Sequence, residues 1–205
     1  MTGKTTDQFS AGEQGLGYMY QARLALLQLL QLPEDTAIFL EKDDDLDFID
    51  SDGGKSLASL KHKAIGDRLT DLSTDFWKSV NIWLTRYKRD GRATSNLRFF
   101  LFTTGTVSSG SFLARLLPDQ PVATGDATAL TELADAALAG STSKLIAPIA
   151  TAFNELSDPE KQDILERILI LDGNPRIGDI PALIRDKQLR CIRREHREFV
   201  FERLE

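Results

Sequence analysis

The chain is poor in the residues that most often announce a site. One cysteine and two histidines are spread over 205 residues. A disulfide framework or a Cys/His zinc cluster therefore cannot be built within one chain. No stretch approaches 18 uninterrupted apolar residues, so nothing reads as a membrane span. Residues 1–10 are polar and carry no apolar leader core, which predicts no secretory signal and a cytoplasmic location, in agreement with the lone Cys191. Gly3-Lys4-Thr5 imitates the end of a phosphate-binding loop but lacks the upstream glycine and the preceding strand. The Ser-rich stretch Ser108 to Ser111 has no nucleophile-elbow pattern.

A basic surplus is missing as well: the formal charge is -6, with 31 acids against 25 bases. Taken whole, that argues against a nucleic-acid partner. Its distribution argues otherwise. Nine acids and one base, Lys42, fall between Glu34 and Asp52, giving that window -8 and the rest of the chain +2. Lys78, Arg86, Lys88, Arg89, Arg92 and Arg98, with Asp90 the lone acid among them, form the best candidate for contact with a DNA backbone.

What is present reads as a mixed α/β fold. Leu16, Tyr20, Leu24 and Leu27 recur at helical spacing until Pro33. Three strands follow, over 37–42, 46–50 and 55–63, the last two joined by the turn Ser51-Asp52-Gly53-Gly54. A second helix is predicted over 75–87, with Phe76, Val80, Trp83, Leu84 and Tyr87 on one face, Ser73 or Thr74 as its cap, and Asp90-Gly91 as its end. The run 97–103 reads as a doubly buried strand. Beyond Ser111 the residues favour helices, with no further strand expected and a single helix over 159–171 opened by the Ser157-Asp158-Pro159-Glu160 capping box. The expected division is therefore an α/β core over 1–117 and a helical extension over 118–205. Phe199, Val200 and Leu204 run to the last residues, which suggests a piece of something longer.

Asp43, Asp44, Asp45 and Asp47 crowd the junction of the first two strands, where like charges raise one another's pKa unless a cation neutralises them. Alternation puts Leu57, Ser59 and Lys61 on one face of the third strand, and a hairpin would return Lys61 toward the acids. Carboxylates holding Mg²⁺ beside a lysine form a constellation that cuts phosphodiesters: the ion activates water and offsets phosphate charge, and the ammonium orients the nucleophile or stabilises the transition state.

Several blocks together resemble a known family. Gly17-Tyr18-Met19-Tyr20-Gln21, Glu41-Lys42-Asp43-Asp44-Asp45-Leu46, Leu60-Lys61-His62-Lys63 and Leu69-Thr70-Asp71-Leu72-Ser73-Thr74-Asp75-Phe76-Trp77-Lys78 look like the double-stranded DNA endonuclease domain of bacterial antiphage effectors of the CD-NTase-associated type. That domain is a branch of the PD-(D/E)xK superfamily. Phe102-Thr103-Thr104, Ala152 to Leu156 and Ile177-Gly178-Asp179-Ile180 look like its later landmarks. The resemblance implies a restriction-endonuclease-like core of helix, three-stranded hairpin region, helix and strand. It implies Gln21, Glu41, Asp45 and Lys61 as catalytic residues and Glu41 and Asp45 as metal ligands, with Asp44 an adjacent alternative. Mg²⁺ is the implied cofactor, with Mn²⁺ as a substitute, and double-stranded DNA the substrate. Implied partners are other domains or subunits of a defence system, with oligomerisation on activation. One departure stands out: Ser59 occupies the position where the family carries Gln or Glu. A hydroxyl is a weaker Mg²⁺ ligand than a carboxylate, which leaves as alternatives a slowed enzyme, a DNA-binding module on the same fold, or a subunit-docking module.

Overall fold

The turn at Gly53 fixes the register from which the rest of the sheet is built. Gly53 sits at φ +81°, a left-handed conformation that favours glycine, and the Asp50 N–H donates to the Gly54 carbonyl at 2.9 Å. This closes strand β2 (Leu46–Ile49) onto β3 (Lys55–Lys61) in the antiparallel register Leu46 to Ala58 and Asp47 to Leu57. Strand β1 (Ala37–Leu40) adds antiparallel on the other side of β2. The computed structural model describes residues 8–118, 126–188 and 192–204; Cys191 lies outside them.

Helix α1 (Gln8–Leu29) precedes the hairpin. After β3 come the two-residue β4 (Arg68–Leu69), helix α2 (Thr74–Arg89), strand β5 (Leu97–Thr103) and the short β6 (Thr106–Val107). Helices α3 (Asp126–Ala139), α4 (Ala147–Asn154) and α5 (Asp158–Glu166) follow, then strand β7 (Ile168–Leu171), α6 (Ile180–Gln188) and α7 (Arg197–Leu204). The main sheet has the order β1-β2-β3-β5-β7, antiparallel through β3 and parallel from β3 to β7; β4 and β6 form a separate two-stranded ribbon.

The strand β7 corrects two expectations. No strand was expected after Ser111, and one helix was expected over 159–171. Instead α5 stops at Glu166, and Ile168 to Leu171 pair with β5, Phe99 opposite Ile168 and Phe102 opposite Leu171. The residues after 118 are thus not wholly helical, and one hydrophobic core runs across that position: Trp77, Phe99 and Leu57 pack in the same cluster as Phe153, Ile164 and Ile170.

Alternation along β3 sends neighbouring side chains into different layers. Leu57 joins the core beneath α2, α4 and α5, whereas Ala58 joins a second cluster with Tyr20, Leu24 and Leu27 of α1 and Ile180 and Ile184 of α6. The sheet therefore carries helices on both faces. The block 69–78 holds this arrangement together. Trp77 Nε1 donates to the Asp71 carbonyl at 2.7 Å, and the Asp71 carboxylate accepts from Ser111 Oγ at 2.5 Å and the Phe112 N–H at 2.8 Å. Ser73 occupies the N-cap of α2, but its hydroxyl accepts the Thr70 N–H at 2.8 Å rather than a helical N–H.

Candidate functional site

Three elements meet at the turn between β1 and β2. Asp45 is the last residue before β2, and its carboxylate bridges the layers: Oδ1 accepts from Gln21 Nε2 of α1 at 2.9 Å, and Oδ2 accepts from the Leu60 N–H of β3 at 2.6 Å. A side chain thus takes a strand N–H next to Lys61. Gln21 and Asp45, 24 residues apart in sequence, are brought together.

Asp44 faces the other layer. Its Oδ2 accepts from the indole N–H of Trp83 at 2.7 Å and its Oδ1 from the Asp45 N–H at 2.9 Å. Burial pushes its carboxyl up to about 6, and the two hydrogen bonds act against that shift; the neighbouring Asp45 charge raises it further, while the Lys61 charge lowers it. Lys61 therefore stands where the hairpin register was expected to bring it, within electrostatic reach of Asp44 and making no ion pair among the described residues. Trp83, read from its helical spacing as core, is fully buried and stacked on Phe99 at 5.4 Å, yet it also carries this polar contact. Nothing in the local sequence signals that role, because it needs the β1–β2 turn to fold over α2.

The remaining acids separate by position. Asp47 is fully buried; its Oδ1 accepts the N–H groups of Asp43 and Asp44 at 3.2 and 3.1 Å, and its Oδ2 lies 3.1 Å from Lys55 Nζ. Asp43 is bonded by Lys55 and paired with Arg86 at 3.0 Å and Arg89 at 3.5 Å, and the Lys55 bond leads in holding its carboxyl below the usual range. Protein cations thus supply much of the neutralisation that the crowded junction calls for. Glu41 is exposed at φ +52°, its N–H donating to the Asp45 carbonyl at 3.1 Å, with no hydrogen bond to its carboxylate among the described residues.

Ser59 is fully buried, and its hydroxyl accepts from Ser79 Oγ of α2 at 2.9 Å. The position that carries Gln or Glu in the resembled family is here tied into the layer beneath the sheet.

The residues present suit a hard divalent cation. A carboxylate accepts hydrogen bonds and cannot donate them, so Gln21 must turn its NH₂ toward Asp45. That leaves Gln21 Oε1 buried without a partner. With the carboxylate of Asp45 it offers oxygen donors of the kind Mg²⁺ takes, whereas Asp44 turns its two oxygens to the Trp83 indole and the Asp45 N–H. Among the described residues no three His, Cys, Asp or Glu side chains are grouped to hold a metal, so Glu41 does not close a three-carboxylate cluster with the other two.

Of the basic residues expected to meet DNA, four are already engaged. Arg86 and Arg89 pair with Asp43, Lys88 with Glu155 at 2.9 Å, and Arg92 with Glu160. Lys78 is exposed and makes no such pair among the described residues.

No protein-family profile and no curated protein matches the chain. Among solved structures it is similar to a Cap4 SAVED/CARF-domain containing receptor from Moraxella osloensis, at 18% identity and a TM-score of 0.43, over 92% of this chain and 43% of that one. The chain thus spans less than half the length of that receptor. Among the described residues no helix is long and apolar enough to cross a membrane.

Proposed function

We propose that this chain is a Mg²⁺-dependent endonuclease domain that hydrolyses phosphodiester bonds of double-stranded DNA in bacterial antiphage defence. The biological setting and the DNA substrate rest on the resemblance of the sequence blocks. The chemistry rests on one observation: Asp45 is held by Gln21 of α1 and by the Leu60 N–H of β3, immediately beside a Lys61 that makes no ion pair among the described residues.

Each group has a task that its surroundings suit. Gln21 and Asp45 would hold the ion, with Asp44 the adjacent alternative; when bound, Mg²⁺ supplies positive charge against the scissile phosphate. The two bonds to Asp45 fix its carboxylate before substrate arrives, so no reorganisation is required of it. Lys61 brings a mobile ammonium to the open end of the sheet, where it can orient water or meet charge developing on phosphate oxygens. Lys78, exposed on α2, would contact the backbone of the duplex.

Purified protein is expected to nick or cut plasmid with Mg²⁺, to stop in EDTA, and to lose cutting in Lys61→Ala with its circular dichroism unchanged. Undiminished cutting by Lys61→Ala would overturn the mechanism. The buried Ser59–Ser79 hydrogen bond favours a second reading, a domain on this fold that binds DNA with little or no cutting. Salt-dependent DNA binding without cleavage, together with cleavage gained by Ser59→Glu, would select it.

A further inference from the structure

Beside the Gln21–Asp45–Leu60 junction, where Tyr20 precedes Gln21 and His62 follows Lys61, lies a cavity of about 380 Å³, lined by Leu16, Gly17, Tyr20, His62 and Ile177. Its walls are apolar on one side and carry donors on the other. Tyr20 is 2% exposed, and its hydroxyl is buried without a hydrogen-bond partner. A buried hydroxyl left in this state is unfavourable until a partner meets it. Its ring meets His62 edge-on at 5.4 Å. His62 is exposed, and neither ring nitrogen makes a hydrogen bond among the described residues.

Arg176 completes the group. Its Nη2 donates to the Lys63 carbonyl at 2.9 Å, which anchors the guanidinium beside the end of β3 while Nε and Nη1 make no hydrogen bond among the described residues. Its charge reaches His62, whose pKa is lowered by burial first and by Arg176 second. Asp179 Oδ2 accepts the Arg176 backbone N–H at 3.2 Å, and no ion pair to the guanidinium occurs among the described residues. The floor is fixed too, since Arg23 Nη1 donates to the Ile177 carbonyl at 3.1 Å.

The guanidinium and the imidazole offer donors, and the buried phenol beside them has no partner among the described residues, which is the chemistry of a phosphate receptor. The apolar wall of Leu16, Gly17 and Ile177 suits the face of a sugar. We propose that Tyr20, His62 and Arg176 form a subsite for a backbone phosphate of a nucleic-acid strand, beside the end of β3 that carries Lys61. The identity of the strand rests on the nuclease reading; the anion chemistry of the cavity does not.

The test uses the chain's two histidines, of which His196 serves as the control. In EDTA, where no cleavage occurs, a short oligodeoxythymidylate without terminal phosphates is titrated and the imidazole resonances followed by proton–nitrogen NMR. His62 is expected to shift and saturate while His196 stays in place. Tyr20→Phe and Arg176→Gln should each weaken that binding roughly ten-fold, the loss of one charge-assisted contact. Parallel shifts of both histidines, or unchanged affinity in both variants, would overturn the subsite. Saturation by thymidine monophosphate with no response to the oligonucleotide would overturn its placement on a strand. Because no metal is present, absence of plasmid cutting leaves these outcomes standing, and cutting without a His62 response removes the subsite alone.

Discussion

Asp44 carries the sharpest consequence at the scale of single residues. Its carboxyl, ordinarily at 3.8, is pushed up to about 6. The native state therefore holds a proton between those values that the unfolded chain releases, and stability contributed by this group is present below about 3.8 and lost as pH rises through about 6. In metal-free protein, urea denaturation should show wild type losing stability across that window relative to Asp44→Asn, which has nothing to titrate there. Adding Mg²⁺ should lower the Asp44 pKa read by carboxyl-carbon NMR; an unmoved value would argue against Asp44 as a ligand. The juxtaposition of Lys61 with the acids was legible in the sequence, because the Gly53-Gly54 turn fixes the register that returns β3 to the turn before β2. The Trp83–Asp44 bond was not, because helical periodicity identifies which face of α2 is buried but not what that face meets. The resemblance supplied Gln21, and the amide geometry explains why an amide suits that position: one end binds a carboxylate and the other remains an acceptor.

At the scale of elements, β7 shows where periodicity fails. Ile168-Leu169-Ile170-Leu171 follows α5 without glycine or proline, and a short apolar run buried in a parallel sheet looks like the continuation of a helix. Ile170 is fully buried and packs with Phe99 and Leu165 in the larger core. Ile170→Ala should cost about 2–5 kcal/mol in chemical denaturation, whereas truncation of an exposed helix residue such as Leu183 should cost far less. The antiparallel hairpin, by contrast, was legible nearly to its ends, since its turn chemistry is local. Asp75-Phe76-Trp77-Lys78 is the most specific part of the resemblance, yet its Trp77 works as scaffold: the indole donates to the Asp71 carbonyl, and the Asp71 carboxylate fastens the chain after β6 to the start of α2.

Over the whole molecule, splitting the charge by sequence window located a crowded acidic turn but misjudged the freedom of its acids. Lys55, Arg86 and Arg89 neutralise Asp43 and Asp47, so the basic run on α2 is partly consumed at the acidic turn. A duplex reaching Arg86 or Arg89 must compete with a carboxylate, whereas Lys78 is immediately available. Lys78→Ala should therefore weaken DNA binding and reduce the magnitude of the logarithmic salt slope by about one, measured by fluorescence anisotropy across a salt series. Arg86→Ala should act mainly on stability, because it withdraws a partner from Asp43.

The mixed sheet also sets an order of assembly. Gln21, Asp45 and Lys61 belong to the helix and hairpin that the ribosome delivers first, and the hairpin closes through contacts between residues near one another in sequence. Strand β5 must wait for the crossover through α2, and β7 for the long excursion through α3, α4 and α5, so the parallel half of the sheet's pairings carries the chain's high contact order. Chemistry and slow topology are thereby assigned to different stretches of one core: the residues proposed for catalysis can find one another early, while the platform that holds them rigid is finished by a strand made more than a hundred residues later.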